Sequence, residues 1–537
     1  MGIVAEVLRK FHGGVHPREY KNLTENCAIE ALPLPKRLIV PLHQHMGRPC
    51  EPCVSPGAHV LKGSVIGIAQ GFISAQVHAP TSGTIRTIDE YPVAHPSGLT
   101  MLCAELEPDG KDQWVDGLTG LPNPLEADPK DIRRKILEAG IVGMGGATFP
   151  SHVKMSPPGD KKVELLVING VECEPYLTCD ARLMEERSRD LVEGFKIMLR
   201  GLETSHCVIG IEANKPAAIR AMQAAVANES SLSVKVLPVM YPQGSEKQLI
   251  EVLTGRQVPS GGLPVDVGVV VHNVATSLAI RDAVKFGRPL ISRVVTVSGL
   301  GITNPRNLEV LLGTPVDDLI AHCGGLKPNH KKIISGGPMM GVTLNTTRVP
   351  VVKGTSGILA LTAEEVSENR EGPCIRCGRC VQACPMRLTP TEMAWGTRNA
   401  LWDKMGEYNL SDCIECGSCS FVCPAHIPLV HYFRFAKMTL QAKDREKKKN
   451  DLTKIRSKAK QERVELEKAE KERKKAEMKA KMAAKKSAAP DAAAGSGTAN
   501  EGSPSPAEAA TRPQGKGPGK PGVKPSGKKK SDPASET

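Results

Sequence analysis

Cys374-x2-Cys377-x2-Cys380-x3-Cys384-Pro385 and, after a helix-length spacer, Cys413-x2-Cys416-x2-Cys419-x3-Cys423-Pro424 are two copies of one cysteine run. Three thiolates on so short a loop close around one corner of an iron-sulfur cube, whereas the fourth of each run points across a pseudo-twofold to the other. The spacing therefore predicts two 4Fe-4S clusters, one on Cys374, Cys377, Cys380 and Cys423 and one on Cys413, Cys416, Cys419 and Cys384. Structural zinc also uses C-x2-C pairs, but it wants two pairs closing a single tetrahedron. Disulfides belong to oxidising compartments, and the short N-terminus, with Glu6 inside its apolar stretch, does not read as a signal peptide. Clusters held side by side in one small module pass single electrons. An electron source, a sink or docking surfaces for them are expected elsewhere in the chain.

The 537 residues exceed one core and suggest three or four domains. The net charge of +13 has the look of a nucleic-acid binder until it is located. From Gln441 onward lie 26 of the 71 Lys and Arg and 14 of the 58 Asp and Glu, so the tail carries nearly all of the excess. The near-neutral remainder argues against nucleic acid as a partner. No apolar run is long enough to span a bilayer, and the chain is expected on the cytoplasmic side. Eight of the 16 cysteines lie outside the two runs. Among them Cys50-Glu-Pro-Cys53 has redox or metal spacing, but with no further ligands nearby it reads as incidental.

Residues 1–30 form an N-terminal extension. From 31 to 115, short strand-length apolar runs broken by Gly and Pro suggest a compact β-domain. Its Gly57, Val60, Gly63 and Ala79-Pro-Thr-Ser-Gly83 resemble the barrel-sandwich hybrid of biotinyl and lipoyl carriers. The stretch Gln70-Gly-Phe-Ile-Ser-Ala-Gln76 has no carrier lysine, so a structural or docking role is expected. Residues 120–290 alternate helix and strand patterns, the rhythm of an α/β domain with a mainly parallel sheet. Helices are expected over 131–139, 182–200 and 215–227, and strands over 164–168, 207–212 and 234–239.

The loops of this segment carry the second constellation. Gly140-Ile-Val-Gly-Met-Gly-Gly-Ala-Thr-Phe-Pro150 offers bare backbone N–H groups to a phosphate or an isoalloxazine ring. It is not the dinucleotide fingerprint, because Thr148 stands where the third glycine would be. Asn169-Gly-Val-Glu-Cys-Glu-Pro175 follows a strand, Tyr241-Pro-Gln-Gly-Ser-Glu-Lys247 leads into a helix, and Val271-His-Asn-Val-Ala-Thr-Ser277 comes last. Order and spelling resemble the flavin- and NADH-binding subunit of respiratory complex I, whose loops read G-x-G-G-A-G-F-P, N-A-D-E-G-E-P, G-E-E-T and N-N-V-E-T. Val171, Ser245 and His272 depart from that pattern. The resemblance implies that Gly143, Gly145 and Gly146 line an FMN phosphate and ring. It implies that Asn169, Glu172 and Asn273 hold the flavin's polar edge, and that Glu174, Glu246 and Lys154 serve NADH.

Residues 291–350 resemble a β-grasp module of the soluble-ligand-binding (SLBB) type, in which His322 and Cys323 are expected to be packed. Residues 365–440 hold the double cluster domain. Residues 441–488 read as a charged, solvated helix with Glu467–Lys471 and Glu470–Lys474 pairs, and 489–537 as a disordered basic tail. The tail's charge suits anionic lipid, but the acids mixed through its helical part favour plain solvation.

The expected fold is thus multidomain α/β and α+β: a barrel-sandwich hybrid, a Rossmann-like flavin/NADH domain, a β-grasp module, an α-helical double 4Fe-4S ferredoxin-type domain and a basic tail. In that order these resemble the C subunits of the Rnf (Rsx) electron-transport complexes, over about residues 20–440. The resemblance implies a peripheral, cytoplasmic-side subunit at the bacterial inner membrane, working beside other subunits of an ion-translocating, translocase-type oxidoreductase. It would take electrons from NADH through flavin, with ferredoxin as an indirect partner, and no side chain need act as acid or base because the reactive atoms are cofactor-borne. The competing reading is a flavin-free iron-sulfur relay or adaptor.

Overall fold

Strands Leu165–Asn169, Cys207–Glu212 and Val269–Asn273 are apolar along most of their length because both faces of the sheet they form are packed, while Leu232–Leu237, at the edge, buries only its two end residues. All four run parallel, in the spatial order 232–237, 207–212, 165–169, 269–273. Asn169 and Asn273 stand side by side at the ends of the two neighbouring strands that face the glycine loop. Such carboxyl-terminal strand edges are where open α/β sheets gather ligands. The structure, a computed structural model, describes residues 8–95, 97–366 and 369–487, in two units, Met1–Lys448 and Lys449–Thr537.

Helix Pro129–Glu138 opens with Asp128 accepting a hydrogen bond from the Lys130 amide, with Pro129 at its first position. The single helix expected over 182–200 is two, Cys179–Glu186 and Ser188–Leu202. The break falls at Arg187, whose φ of −127° leaves the helical region and whose guanidinium pairs with Glu309 at 2.6 Å. The second helix lies tightly on Val274–Phe286: a Cβ on Gly194 would stand 2.6 Å from the Ser277 carbonyl oxygen.

Upstream, Leu38–Pro41, Thr100–Pro108, Gly83–Pro92 and His59–Val60 form one antiparallel sheet, and Glu51–Pro52, Val65–Ile68 and Val77–His78 another. Leu38, Val40, Ile66, Ile85 and Leu106 fill the space between them. The stretch 70–76 is docked: the Phe72 carbonyl lies 3.1 Å from His152 Nε2, and the neighbouring Met46 amide donates to the Thr148 carbonyl at 3.1 Å. Cys50 is buried and Cys53 exposed, and their thiols donate to different carbonyls, Ala75 and Val65.

A six-stranded sheet takes strands Ser292–Ser298, Arg306–Leu311, His330–Ser335 and Val342–Thr343 from the expected module, with helix Val316–His322 against it. Two further strands come from outside 291–350. Ile29–Ala31 pairs parallel with Arg306–Leu311 at one edge, and Gly357–Thr362, wholly buried, runs between Ser292–Ser298 and His330–Ser335. His322 lies 3.0 Å from Glu30, and Cys323 is buried.

Helix Leu429–Lys486 starts apolar and is exposed along 441–485. Glu470 pairs with Lys474 at 2.9 Å as expected, while Glu467 pairs back to Arg463 at 4.0 Å instead of forward to Lys471. The tail from residue 489 lies outside the described residues. Among the described residues no helix is long and apolar enough to cross a membrane.

Lys353, fully buried, fastens these parts together. Its ammonium donates to the carbonyls of Gln76 and Gly140, each at 2.7 Å, its amide takes Gln44 Oε1, and its carbonyl accepts from Arg293. Lys353→Met keeps the volume but leaves two buried carbonyls without a donor. We expect a loss of about 2 kcal/mol, seen as a lower thermal midpoint.

Candidate functional site: a cavity and two cysteine pockets

Four loops converge on a cavity of about 340 Å³. The glycine loop contributes Gly143 and Gly145, the first strand's end Asn169, Glu172 and Glu174, the 241–247 loop Glu246, and the last strand's end Asn273, with Lys154 from helix Ser151–Lys154. Gly146, exposed with φ of +112°, is outside the lining.

The glycine loop is closed by the Gly143 amide on the Phe149 carbonyl at 2.8 Å, and tied to the next helix by the Met144 amide on Thr276 Oγ1, also at 2.8 Å. Asn273 caps helix Val274–Phe286, accepting from the Ala275 amide at 2.9 Å, so the helix's positive pole meets the cavity wall. Asn169 Nδ2 donates to the Gly244 carbonyl at 2.8 Å, joining two loops. Lys154 bonds Glu246 at 2.7 Å and the Val271 carbonyl at 3.2 Å.

The acids divide their work. Glu172, at φ of 46°, accepts from the amides of Asp180 and Ala181 at 2.7 and 3.3 Å. Asp180 accepts from Asn273 Nδ2 at 2.6 Å; burial, then the charge of Glu172, pushes its carboxyl up to about 7. Glu174 accepts from the amides of Met339 and Met340 at 3.0 and 2.9 Å, and burial raises it to about 7 as well. His272 is held neutral by burial, which lowers it to about 3, and its Nε2 is a buried polar atom with no hydrogen-bond partner.

Several groups around this cavity carry no motif. Lys21, buried in the N-terminal segment, donates to the carbonyls of Glu172, Glu174 and Leu177 at 2.9, 3.0 and 2.7 Å, and Tyr20 stacks on Tyr176 with ring centroids 4.6 Å apart. Tyr241 donates its hydroxyl to the carbonyl of Cys416 at 2.6 Å. Nothing in the local sequence marks Lys21. Tyr241 is legible there only as the start of a loop.

The eight run cysteines line two further pockets. Cys374, Cys377, Cys380 and Cys423 border one, and Cys384, Cys413, Cys416 and Cys419 the other. Apart from thiols the linings are mostly apolar, with Ile375, Ile427 and Leu429 in the first and Leu388, Val430 and Phe433 in the second. Four soft sulfur donors in an apolar shell fit an iron-sulfur cube. Amides point at sulfur too: Leu388 to Cys384 and Glu415 to Cys413, each at 3.4 Å. The second pocket adjoins the large cavity, since Ile414 and Cys416 border both.

Comparison with known proteins assigns these parts. Residues 9–111 match the RnfC barrel sandwich hybrid domain, 136–282 the Nuo51 FMN-binding domain, 294–343 the SLBB domain and 373–427 the 4Fe-4S dicluster domain. Together they define an electron-transport protein with FMN-binding and 4Fe-4S domains. The C subunit of the proton-translocating ferredoxin:NAD(+) oxidoreductase complex of Clostridium ljungdahlii is 49% identical over 445 residues, 82% of this chain and 97% of its own length. The C subunit of the ion-translocating oxidoreductase complex of Rhodobacter capsulatus is 49% identical over 436 residues, covering 81% of this chain and 84% of that one. The C subunit of the Na(+)-translocating ferredoxin:NAD(+) oxidoreductase complex of Acetobacterium woodii is 44% identical over 435 residues, 81% and 98% of the two chains. The chain belongs to this family, the C subunits of ion-translocating oxidoreductase complexes.

Asp180 supplies a pH test. Folded, it holds its proton to about pH 7; unfolded, only to its ordinary 3.8. Between those values the folded state binds more protons, so this group's contribution to stability falls as pH rises through that window. Asp180→Asn still accepts from Asn273 and lacks the penalty. Its thermal midpoint relative to the parent should climb between pH 4 and 7.

Proposed function

We propose that the chain is the subunit through which NADH feeds such a complex, with FMN in the large cavity and a 4Fe-4S cluster in each cysteine pocket. The bound flavin accepts electrons from NADH in pairs, and the clusters carry them singly. The protein's part is placement. Gly143 and Gly145 leave the cavity wall bare for close approach, and the N-terminus of Val274–Phe286 favours the flavin phosphate. Asn169, Asn273 and the free His272 Nε2 face the flavin's polar edge, while Glu172 acts from behind by ordering the start of helix Cys179–Glu186. Lys154 and Glu246 hold each other until the nucleotide arrives. Glu174 serves the nucleotide side by fixing the 339–340 loop.

The reading rests above all on Cys416 and Ile414 bordering both the large cavity and the second-run pocket. That sharing supports the order flavin cavity, then the pocket of Cys384, Cys413, Cys416 and Cys419, then the pocket of Cys374, Cys377, Cys380 and Cys423, where Cys374 and Cys377 are exposed. We read the parallel sheet as Rossmann-like, the six-stranded sheet as β-grasp, and the domain limits as 31–115, 120–290, 291–350 and 365–440. The subunit would sit peripherally on the cytoplasmic face of the inner membrane beside its partner subunits, with ferredoxin reached indirectly and the basic tail free to touch anionic lipid.

Two outcomes are expected of protein purified without oxygen. Flavin, iron and sulfide are all present, and NADH produces reduced clusters by EPR; iron and sulfide without flavin would instead establish a flavin-free relay. Gly145→Val should cut the flavin content and leave iron unchanged. The order is read from single ligand changes. Cys374→Ala should spare NADH-driven reduction of the remaining cluster, whereas Cys413→Ala should abolish reduction of both.

A further inference from the structure

Residues 11–15 run as a strap from the FMN-binding domain to the cysteine runs and back. Phe11, 5% exposed, packs with Leu165, Val167, Leu249 and Leu253 in the apolar cluster on one face of the parallel sheet. Val15 pairs with Tyr241 in an antiparallel bridge, its amide on the Tyr241 carbonyl at 2.8 Å and the Tyr241 amide on its own carbonyl at 2.9 Å. Between these two anchors the Gly14 amide reaches across to the carbonyl of Ala383, in the first cysteine run, at 3.0 Å.

Two glycines permit that reach. Gly13 and Gly14 have φ of +74° and +87°. A Cβ on Gly13 would stand 2.8 Å from the Ala383 carbonyl oxygen, and one on Gly14 would stand 2.7 Å from Met240 Sδ and 2.9 Å from the Tyr241 carbonyl oxygen. A side chain at either position would push backbone from backbone and strain the strap.

What the strap holds is the second cysteine pocket. Cys384, next to Ala383, lines it together with Cys413, Cys416 and Cys419. On the other side of Cys384 the Pro385 carbonyl accepts from Gln248 Nε2 at 3.4 Å, and in the second run the Cys416 carbonyl accepts from the Tyr241 hydroxyl at 2.6 Å. One such bond would act as a pivot. Three, spread over both runs, fix the pocket's separation from the large cavity as well as its orientation. Tyr241 is the meeting point, because its backbone carries the strap while its hydroxyl carries Cys416.

We propose that Gly13 and Gly14 are positioning residues for electron transfer, and that the strap of residues 11–15 sets the distance across which the second pocket receives electrons from the large cavity. The proposal rests on the reading that puts FMN and a 4Fe-4S cluster in those two places. It adds no chemical step: single electrons pass from reduced flavin to the cluster, and the two glycines line neither cavity.

The test compares the full chain, purified anaerobically with its cofactors, with its Gly13→Ala variant. Flavin, iron and sulfide contents, the midpoint potentials of both clusters and the rate at which NADH bleaches the flavin should match the parent. Reduction of the clusters after that bleaching should slow by about tenfold or more, because a small misplacement of fixed reactants costs rate steeply. Hydrogen exchange at the amides of Gly14, Val15 and Tyr241 should speed up in the same variant. Phe11→Ala releases the strap at its far anchor, away from the thiolates, and should reproduce both effects; it decides the matter where Gly13→Ala loses iron. Cluster reduction at the parent rate in these variants, an equal slowing of flavin bleaching, a shifted cluster potential, or loss of iron from both variants would overturn the proposal. A parent protein whose clusters NADH never reduces would sink the functional reading and this proposal with it, whereas a working parent matched by its variants sinks the proposal alone.

Discussion

A buried hydroxyl on a buried carbonyl, Tyr241 to Cys416, is the joint on which this arrangement depends. It joins a loop of the FMN-binding domain to a cysteine of the second run, and so holds the wall between the large cavity and the second cysteine pocket. Groups that exchange electrons must keep their separation, and a site held by loops keeps it only when further contacts lock those loops. Glu174 does this from one side through the Met339 and Met340 amides, and Lys21 from another through three carbonyls. Buried networks of this kind are worth most when every member is satisfied, and each of these groups is spoken for.

The same economy explains the barrel-sandwich domain. In a carrier, the exposed hairpin bears a lysine on a moving arm. Here the equivalent stretch rests on His152 and the end of the glycine loop, and Lys353 fastens its far end at Gln76. The barrel-sandwich domain thus packs against the segments that carry the glycine loop.

What the chain declares before it folds is local chemistry. Metal ligation demands particular atoms at short fixed spacings, so the eight cysteines announce themselves, and the folded chain groups Cys423 with the first run and Cys384 with the second, as reach along the loop suggests. Close approach of backbone to a cofactor demands glycine, which exposes Gly143 and Gly145. Parallel strands buried on both faces leave apolar runs, which reveals the sheet. What failed to show were partners distant in sequence. Gly357–Thr362 looks like any apolar run until the sheet closes around it, Ile29–Ala31 is too short to carry a pattern, and the partner of Arg187 at the helix break, Glu309, lies 122 residues away.

By itself, then, the amino-acid order determined which residues can ligate iron, which loops can lie against a flavin, and which segments form the parallel sheet, because each follows from stereochemistry within a few residues. Tertiary structure alone decided that Lys21 and Tyr241 belong to the site and that one cysteine pocket adjoins the large cavity while the other meets solvent. Those facts depend on which surfaces the folded chain covers and which it leaves open, and no local spacing encodes that choice.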